Sequence, residues 1–224
     1  MRIGILGTGS LAEGLGTGWV EAGHEVVIGG RSPAKARRLA DRLGRGARAV
    51  TPREAVTGCD AVLLAVSWDG VEEMLRSVRA PDGSLEGVPL IDPTNAVEHG
   101  VGVLLTGNGE SAARRISALA PGARVVKAFH LFPAGQWAGA PDQDASPVTV
   151  AMCGDDPAAL RVVGELVRHV GGTPAVLGSL ERARQLEEAA GFVIGLAFAG
   201  VDPRSAVPRV PAPATAEDRA TTSP

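Results

Sequence analysis

Residues 1–35, MRIGILGTGSLAEGLGTGWVEAGHEVVIGGRSPAK, are the most informative stretch of this chain of 224 residues. Its pattern predicts a β-strand over 2–6, a glycine turn, an α-helix, a second strand over 24–29 and a basic loop. Residues 7–12, GTGSLA, match the dinucleotide fingerprint G-x-G-x-x-A between the first strand and the helix. We therefore predict a Rossmann unit that binds a dinucleotide.

Each small residue of the fingerprint has a physical task. Gly7 permits the tight turn off the strand, and Gly9 lets the backbone approach a pyrophosphate without a Cβ in the way. Ala12 is small enough for the helix to pack against the strand. The helix N-terminus directs N–H groups and its positive dipole end at the phosphates. The alternative is an ordinary glycine-rich turn, since the chain contains 30 glycines.

The end of the second strand selects the dinucleotide. NAD sites carry an acid there that holds the ribose hydroxyls, but no acid lies between Val26 and Ala40. Instead Arg31 and Lys35 can neutralise a 2′-phosphate, and the Ser32 hydroxyl can hydrogen-bond to it. We therefore predict NADP(H). The alternative is that both cations are solvated charges at a helix start.

Composition excludes several functional classes. The net charge of −3, the absence of a basic stripe and the lack of any tyrosine argue against nucleic acid as a partner. Cys59 and Cys153 form no metal or redox motif, so we predict reduced thiols and no metal site. No apolar run is long enough to span a bilayer. Because the first strand begins at residue 2, we expect no signal peptide and a cytoplasmic protein with no membrane partner.

The rest of the chain predicts an α/β fold, a doubly wound parallel sheet of Rossmann type, followed by a small C-terminal α/β lobe. We place the dinucleotide-binding domain at 1–146, the lobe at 147–202 and a disordered tail at 203–224. Strand six is predicted over 124–129 and a long last helix over 179–198. This helix is almost wholly apolar after Glu188, and such a surface must be covered, so we expect a homodimer.

Five segments together resemble the coenzyme F420-dependent NADP oxidoreductases, also called NADPH-dependent F420 reductases. They are RIGILGTGSLAEGL, GHEVVIGGRSPAK, AVLLAVSWDGV, LIDPTNAV and ARVVKAF. The resemblance continues through the second half and spans about residues 1–201. It implies an enzyme that passes a hydride between the nicotinamide C4 and the deazaflavin C5 of F420. Such a reaction needs two flat rings in contact and water excluded, and it demands little from side chains.

The resemblance also implies which residues form the site. Thr8, Ser10 and Leu11 would line the pyrophosphate turn, and Arg31, Ser32 and Lys35 would hold the 2′-phosphate. Asn95 would lie near the nicotinamide, and Ala128 to His130 near the two rings. The path from adenosine to nicotinamide would be flanked by Ala65, Val66, Ser67 and Trp68. Trp68 has the alternative of simply covering a helix start, and Asn95 that of a plain turn.

One departure from the family concerns strand six. Family members read K-A-F-N there, whereas this chain has Lys127-Ala128-Phe129-His130. Histidine can donate a proton to a substrate heteroatom, so His130 is our candidate catalytic acid in a second hypothesis. In that hypothesis the protein reduces a small imine, ketone or enone with NADPH. The structural alternative for His130 is a neutral ring bonded to the loop backbone, and Lys127 is expected to pair with Asp92 or Asp60.

The loop after strand six also bears on the second substrate. F420 carries a phosphate and a glutamate tail, so basic groups are expected at the mouth of its site. Residues 131–146 contain no Arg or Lys but include Asp142 and Asp144. This favours the small-substrate hypothesis. A third hypothesis is a non-catalytic NADP(H)-binding protein that uses the fold for binding alone.

Overall fold

The computed structural model describes residues 1–44, 46–107, 109–137 and 147–208. Eight strands form one sheet in the order β3-β2-β1-β4-β5-β6-β7-β8. The strands are β1 (Arg2–Leu6), β2 (Glu25–Gly29), β3 (Ala47–Ala49), β4 (Ala61–Leu64), β5 (Pro89–Asp92), β6 (Arg124–Lys127), β7 (Thr149–Gly154) and β8 (Thr173–Val176). The helices are α1 (Ser10–Glu21), α2 (Pro33–Leu43), α3 (Val71–Ser77), α4 (Ala112–Leu119), α5 (Pro157–His169) and α6 (Ala183–Phe198).

The sheet is parallel from β3 to β6, and the strand order reverses between β1 and β4. This is the doubly wound Rossmann order, which confirms the predicted fold class, and its reversal point is where such sheets bind ligands. The antiparallel β6–β7 pair adds β7, and β8 then pairs with β7 in parallel.

The predicted domain limits are not settled by this sheet. It runs without a break from β6 to β7, across the predicted boundary at residue 147. Pro203–Ala206 forms a short 3₁₀ helix at the start of the predicted tail. The rest of that tail from residue 209, and residues 138–146 of the loop, lie outside the described residues. Within the described ranges, no helix has both the length and the apolar character needed to cross a membrane.

Two hydrophobic cores lie on the two faces of the sheet. Successive residues of each central strand alternate between them: Ile3 and Ile5 contribute to one core and Leu6 to the other. Helices α1, α2 and α5 cover the first face, and α3, α4 and α6 cover the second. Both faces of the central strands are therefore buried, which explains why those strands are continuous apolar runs in the sequence.

Local capping explains where α2 and α5 begin. The Ser32 Oγ accepts the Lys35 backbone N–H at 3.3 Å, and Pro33 occupies the first position of α2. The Asp156 Oδ1 accepts the Ala159 N–H at 2.8 Å at the start of α5. These contacts satisfy N–H groups that a helix start leaves without partners.

Strand six is shorter than predicted. It ends at Lys127 and not at residue 129, because Phe129 adopts a left-handed backbone with φ of 61°. The Phe129 ring is buried and makes edge-to-face contacts with Trp19 and Trp137, at centroid distances of 6.2 and 5.3 Å. Aromatic packing therefore holds a strained residue that turns the chain out of the sheet.

The segment over 97–105, which we call the cleft loop, packs directly on α6. Val97 and Leu104 form an antiparallel bridge within it. Gly102 and Gly191 bring two backbones together, since a Cβ on Gly191 would lie 2.2 Å from the Gly102 carbonyl oxygen. Exposed apolar side chains of this loop, of α6 and of the segment just after α6 form a surface that we call the apolar face. It comprises Val101, Val103, Leu105, Phe192, Phe198 and Val201.

Candidate active site

A cleft of about 650 Å³ opens at the carboxyl ends of β1, β4 and β5. It unites eight residues that were predicted from separate segments of the chain: Gly9, Ser10, Leu11, Ala65, Val66, Ser67, Trp68 and Asn95. The remaining lining residues are Asp69, Pro93, Thr94, Val97, Glu98, His99 and Leu105. The cleft thus extends from the glycine turn to the cleft loop, along the reversal point of the sheet.

The glycine turn has the geometry that its fingerprint requires. Gly7 has φ of 132°, and a Cβ there would lie 1.9 Å from the Ala65 carbonyl oxygen. At Gly9, in contrast, a Cβ would meet no described atom within 4 Å. Gly9 is also the N-cap of α1 and provides no side-chain hydrogen bond. The first N–H groups of α1 are therefore left to an external acceptor, as expected for an anion site.

The predicted cationic residues lie at the carboxyl end of β2, outside the lining of this cleft. Arg31 Nη1 contacts Glu73 Oε2 of α3 at 3.2 Å, and both side chains are exposed. Ser32 caps α2 as described above, and Lys35 is exposed in the first turn of that helix. The three residues are neighbours, and the structure adds an acid, Glu73, that sequence reasoning missed.

Beneath the cleft lies a buried charge network, which we call the Lys127 network. Lys127 Nζ contacts Asp92 Oδ2 at 3.0 Å and Glu187 Oε1 at 3.0 Å, and it also donates to the Thr94 carbonyl. The three charged side chains have no solvent exposure. The expected pairing of Lys127 with Asp92 is confirmed, whereas Asp60 instead accepts the Arg2 backbone N–H.

Glu187 connects this network to α4. Its two carboxylate oxygens accept the N–H groups of Ala112 and Ala113, at 2.8 and 3.1 Å. Asp92 also accepts the backbone N–H and the hydroxyl of Thr94, at 2.8 and 2.6 Å. Every acidic oxygen of the network therefore has a donor, as buried charges require. The network fixes the backbone at Thr94, next to Asn95 in the cleft.

Asn95 presents an unpaired acceptor. Its Nδ2 donates to the His130 carbonyl oxygen at 2.6 Å. Its Oδ1 is buried and has no hydrogen-bond partner among the described residues. A buried unpaired oxygen in a cleft wall is costly unless a ligand supplies a donor. This atom is thus a candidate contact for a carboxamide N–H.

His130 is 5% exposed, and neither ring nitrogen has a partner among the described residues. The alternative of a ring bonded to the loop backbone is therefore not observed. Burial, and secondarily the positive charge of Lys127, lower the pKa of His130 from 6.5 to about 3. At neutral pH the ring is uncharged, so it can donate an N–H hydrogen bond but holds no imidazolium proton.

Two other predicted residues have different environments. Ala128 is fully buried in the first hydrophobic core and is not part of the cleft lining, and its N–H donates to the Asp92 carbonyl oxygen at 3.1 Å. Trp68 lies in the cleft wall, and the Arg115 guanidinium of α4 sits 5.6 Å from its ring centroid. The Arg115 side chain is half exposed, with Glu110 at 3.8 Å. A basic group therefore reaches the cleft rim from α4 and not from residues 131–146.

Sequence reasoning missed Glu73, Arg115 and Glu187. Each reaches its partner from a separate element, 42 residues away for Glu73 and Arg31 and 74 for Glu187 and Ala113. No short-range pattern marks such pairs. The apolar end of α6 was expected to be covered but is partly exposed in this chain, and no pattern marked Glu187 on the buried side of the helix.

Comparison with known proteins agrees with this geometry. Residues 2–96 match the family described as NADP oxidoreductase coenzyme F420-dependent. This match covers the first part of the chain and shows that this part is similar to that family. The resemblance predicted from the sequence is thereby confirmed, and the family consists of NADP-dependent oxidoreductases.

Full-length relatives differ in size. The F420-dependent NADP reductase of Methanothermobacter thermautotrophicus is 29% identical over 211 residues, which cover 88% of this chain and 89% of that protein. The metalloreductase STEAP3 of Rattus norvegicus is 32% identical over 186 residues, covering 83% of this chain. The chain spans only 36% of the length of that metalloreductase.

A solved structure shares the whole architecture. The crystal structure of a candidate F420-dependent NADP-reductase from Arthrobacter sp. fb24 superposes with a TM-score of 0.77 at 23% identity. The match covers 90% of this chain and 96% of that one. It shows that the doubly wound sheet and the C-terminal segment form one recurring fold.

Replacing Lys127 with Met should lower the free energy of unfolding by about 3–5 kcal/mol, because Asp92 and Glu187 would stay buried without a cation. Urea denaturation measures the difference. Lys35→Met is the matched control, since Lys35 is exposed and the substitution should change stability by at most about 0.5 kcal/mol. Equal losses in the two variants would contradict the Lys127 network.

Acid should destabilise the fold through His130. Its pKa is about 3 in the folded chain against 6.5 for an unperturbed histidine, so the unfolded state binds more protons between these values. Stability should therefore fall as the pH drops below about 6.5, by up to about 1.4 kcal/mol per pH unit. His130→Gln should remove this part of the slope. An unchanged slope in this variant would contradict the assignment.

Proposed function

We propose that this protein transfers a hydride between NADP(H) and coenzyme F420. The observation that carries the proposal is a continuous cleft that runs from the uncapped start of α1 to the unpaired Oδ1 of Asn95. Its two ends match two parts of a dinucleotide, the central diphosphate and the nicotinamide carboxamide. The similarity of residues 2–96 to the F420-dependent NADP oxidoreductases supports NADP(H) and F420 as the reactants.

The glycine turn fits the diphosphate. The open space at Gly9 allows the phosphates to approach the backbone, and the N–H groups of Ser10 and Leu11 face them with the positive end of α1. Arg31 and Lys35, on the neighbouring loop, supply the charge that a 2′-phosphate needs. In this proposal Ser32 keeps its capping role and can still donate its hydroxyl proton.

Asn95 fits the nicotinamide carboxamide. Its amide group already donates to the His130 carbonyl, so only its oxygen remains for the ligand, and that oxygen requires a donor. The Lys127 network holds the neighbouring Thr94 carbonyl. Asn95 is thereby presented on a fixed backbone, and this is the kind of preorganisation that ring-to-ring hydride transfer requires.

The second substrate is acidic in this proposal. Arg115 over Trp68 places a cation at the cleft rim, where the phosphate and glutamate tail of F420 would need one. When bound, the two rings would exchange a hydride between the nicotinamide C4 and the deazaflavin C5. The protein's part is to align the rings and exclude water, and no charged side-chain acid is needed.

The alternative is an NADPH-dependent reductase of a small imine, ketone or enone. The unpaired ring nitrogens of His130 favour it, because a substrate heteroatom could supply the missing partner. The low pKa of His130 disfavours it, because a neutral ring is a poor proton donor at physiological pH. A purely binding role without turnover is the third alternative, and the same assay addresses it.

We also propose a homodimer formed through the apolar face. Phe192 and Phe198 are 53% and 57% exposed, and Val101, Val103 and Leu105 beside them are more than half exposed. A contiguous apolar surface of this kind on a soluble domain marks an interaction site. We favour a second copy of this chain as the partner, because the cleft loop and α6 both contribute apolar residues to this face. Contact between the same face on two identical subunits is also the commonest symmetric arrangement of oligomers.

Mixing the protein with NADPH and F420 should bleach the visible band of the deazaflavin, because F420 is reduced as NADPH is consumed. Stopped-flow absorbance at the two bands measures both changes. They should be equimolar. NADPH binding without bleaching would exclude the F420 reaction and leave the small-substrate reductase or the binding role.

His130→Ala separates these remaining alternatives in the same assay. If His130 donates a proton to a small substrate, turnover should fall by about 10²–10⁴-fold. F420 reduction should change little. His169→Ala, at an exposed histidine at the end of α5 and outside the cleft lining, is the control for loss of an imidazole.

Sedimentation equilibrium should show a dimer at micromolar concentration. Phe198→Glu should shift it to the monomer, because the carboxylate would be buried in an apolar interface. Val176→Glu is the control, since Val176 is similarly exposed, at 53%, but lies on the edge strand β8. A monomeric wild-type protein, or dissociation by the control alone, would contradict the proposed face.

A further inference from the structure

The exposed ion pair between Arg31 and Glu73 lies outside the lining of the candidate cleft, beyond its glycine turn. Arg31 follows β2, and Glu73 lies in α3, which follows β4. Strands β2 and β4 flank β1 on its two sides. The 3.2 Å contact therefore crosses above the carboxyl end of β1, where the glycine turn begins. This pair joins the two walls between which the adenosine of a dinucleotide would lie.

The Arg31–Glu73 ion pair is weak enough for a phosphate to replace Glu73 as the partner of Arg31. Both side chains are about two-thirds exposed, at 67% and 64%, and an ion pair in water changes an equilibrium by only about fivefold or less. A phosphate monoester carries up to about two negative charges and three acceptor oxygens, so it is a stronger partner for a guanidinium than one carboxylate. Arg31 therefore gains by leaving Glu73 when a 2′-phosphate is present.

Glu73 has no competing cation among the described residues, whereas its neighbour Glu72 does. Glu72 forms an ion pair with Arg76 one turn along α3. Of these two acids, only Glu73 is paired with the loop that follows β2. Its charge lies within reach of the guanidinium that would bind the phosphate, so it opposes the phosphate both by competition and by repulsion.

We propose that Glu73 is a specificity-determining residue that holds Arg31 in the absence of a 2′-phosphate and releases it to NADP(H). The inference rests on the proposed binding of NADP(H) at this cleft. With NAD(H), which lacks the phosphate, Arg31 stays paired with Glu73. The ion pair thereby sets the affinity for NADP(H) below what Arg31 alone would give.

Isothermal titration of NADPH and NADH into the full chain tests this inference without F420. Glu73→Gln should bind NADPH about three- to tenfold more tightly, because the competing carboxylate and its repulsion are removed. NADH affinity should change by less than about twofold. Glu72→Gln is the matched control on the same helix and should bind both nucleotides like the wild type.

A double variant links the effect to Arg31. Arg31→Ala should weaken NADPH by about tenfold or more and NADH far less, because a charge-assisted phosphate contact is lost. In the Arg31→Ala background, Glu73→Gln should gain only the part that comes from repulsion, less than in the wild type. Tighter NADPH binding with this dependence supports the exchange.

Other results overturn it. If Glu73→Gln binds NADPH no tighter than the wild type, or if NADH gains equally, Glu73 does not set specificity. That result, together with a wild type that prefers NADPH and loses the preference in Arg31→Ala, removes this inference and leaves the proposed function intact. A wild type that binds neither nucleotide, or prefers NADH, overturns both.

Discussion

A single buried cation organises the deepest part of this molecule. Lys127 lies without solvent exposure between two carboxylates from different elements, Asp92 of β5 and Glu187 of α6. None of these charges could be buried alone, since an unpaired ion in the interior costs several kcal/mol. The positions of β5, β6 and α6 therefore depend on one another, because each contributes one of these three charges. Glu187 extends the condition to α4 by accepting the first N–H groups of that helix.

The cleft above this network is made by backbone geometry more than by reactive side chains. Gly7 lets the turn pass against Ala65, and the Lys127 contact fixes the Thr94 carbonyl. Close packing of Gly7 against Ala65 thus positions one end of the cleft. The buried charges around Lys127 position the other end. A site of this kind suits chemistry in which the bound molecules carry the reactive atoms.

Local sequence determined much of this architecture. The bounds of α2 and α5 follow from Ser32-Pro33 and Asp156-Pro157, because a cap and a proline specify a helix start within a few residues. The glycine turn followed equally from the spacing of Gly7 and Gly9. These features depend on neighbouring residues alone, so a single sequence suffices to predict them.

Features that depend on distant residues were out of reach. The early end of β6 requires the contacts of Phe129 with Trp19 and Trp137, and no pattern within residues 124–129 indicates a left-handed residue. The interaction of Arg115 with Trp68 likewise joins two segments far apart in the chain. The composition of residues 131–146 could not indicate this cation, because Arg115 comes from another element.

The contact between Gly102 and Gly191 has a mechanical consequence. With no side chain between them, the cleft loop and α6 touch backbone to backbone, so neither can slide without displacing the other. Val97, Glu98 and His99 of that loop form one wall of the cleft, while α6 carries much of the uncovered apolar surface. A displacement of α6 caused by a contact on its outer surface would therefore also displace that wall of the cleft.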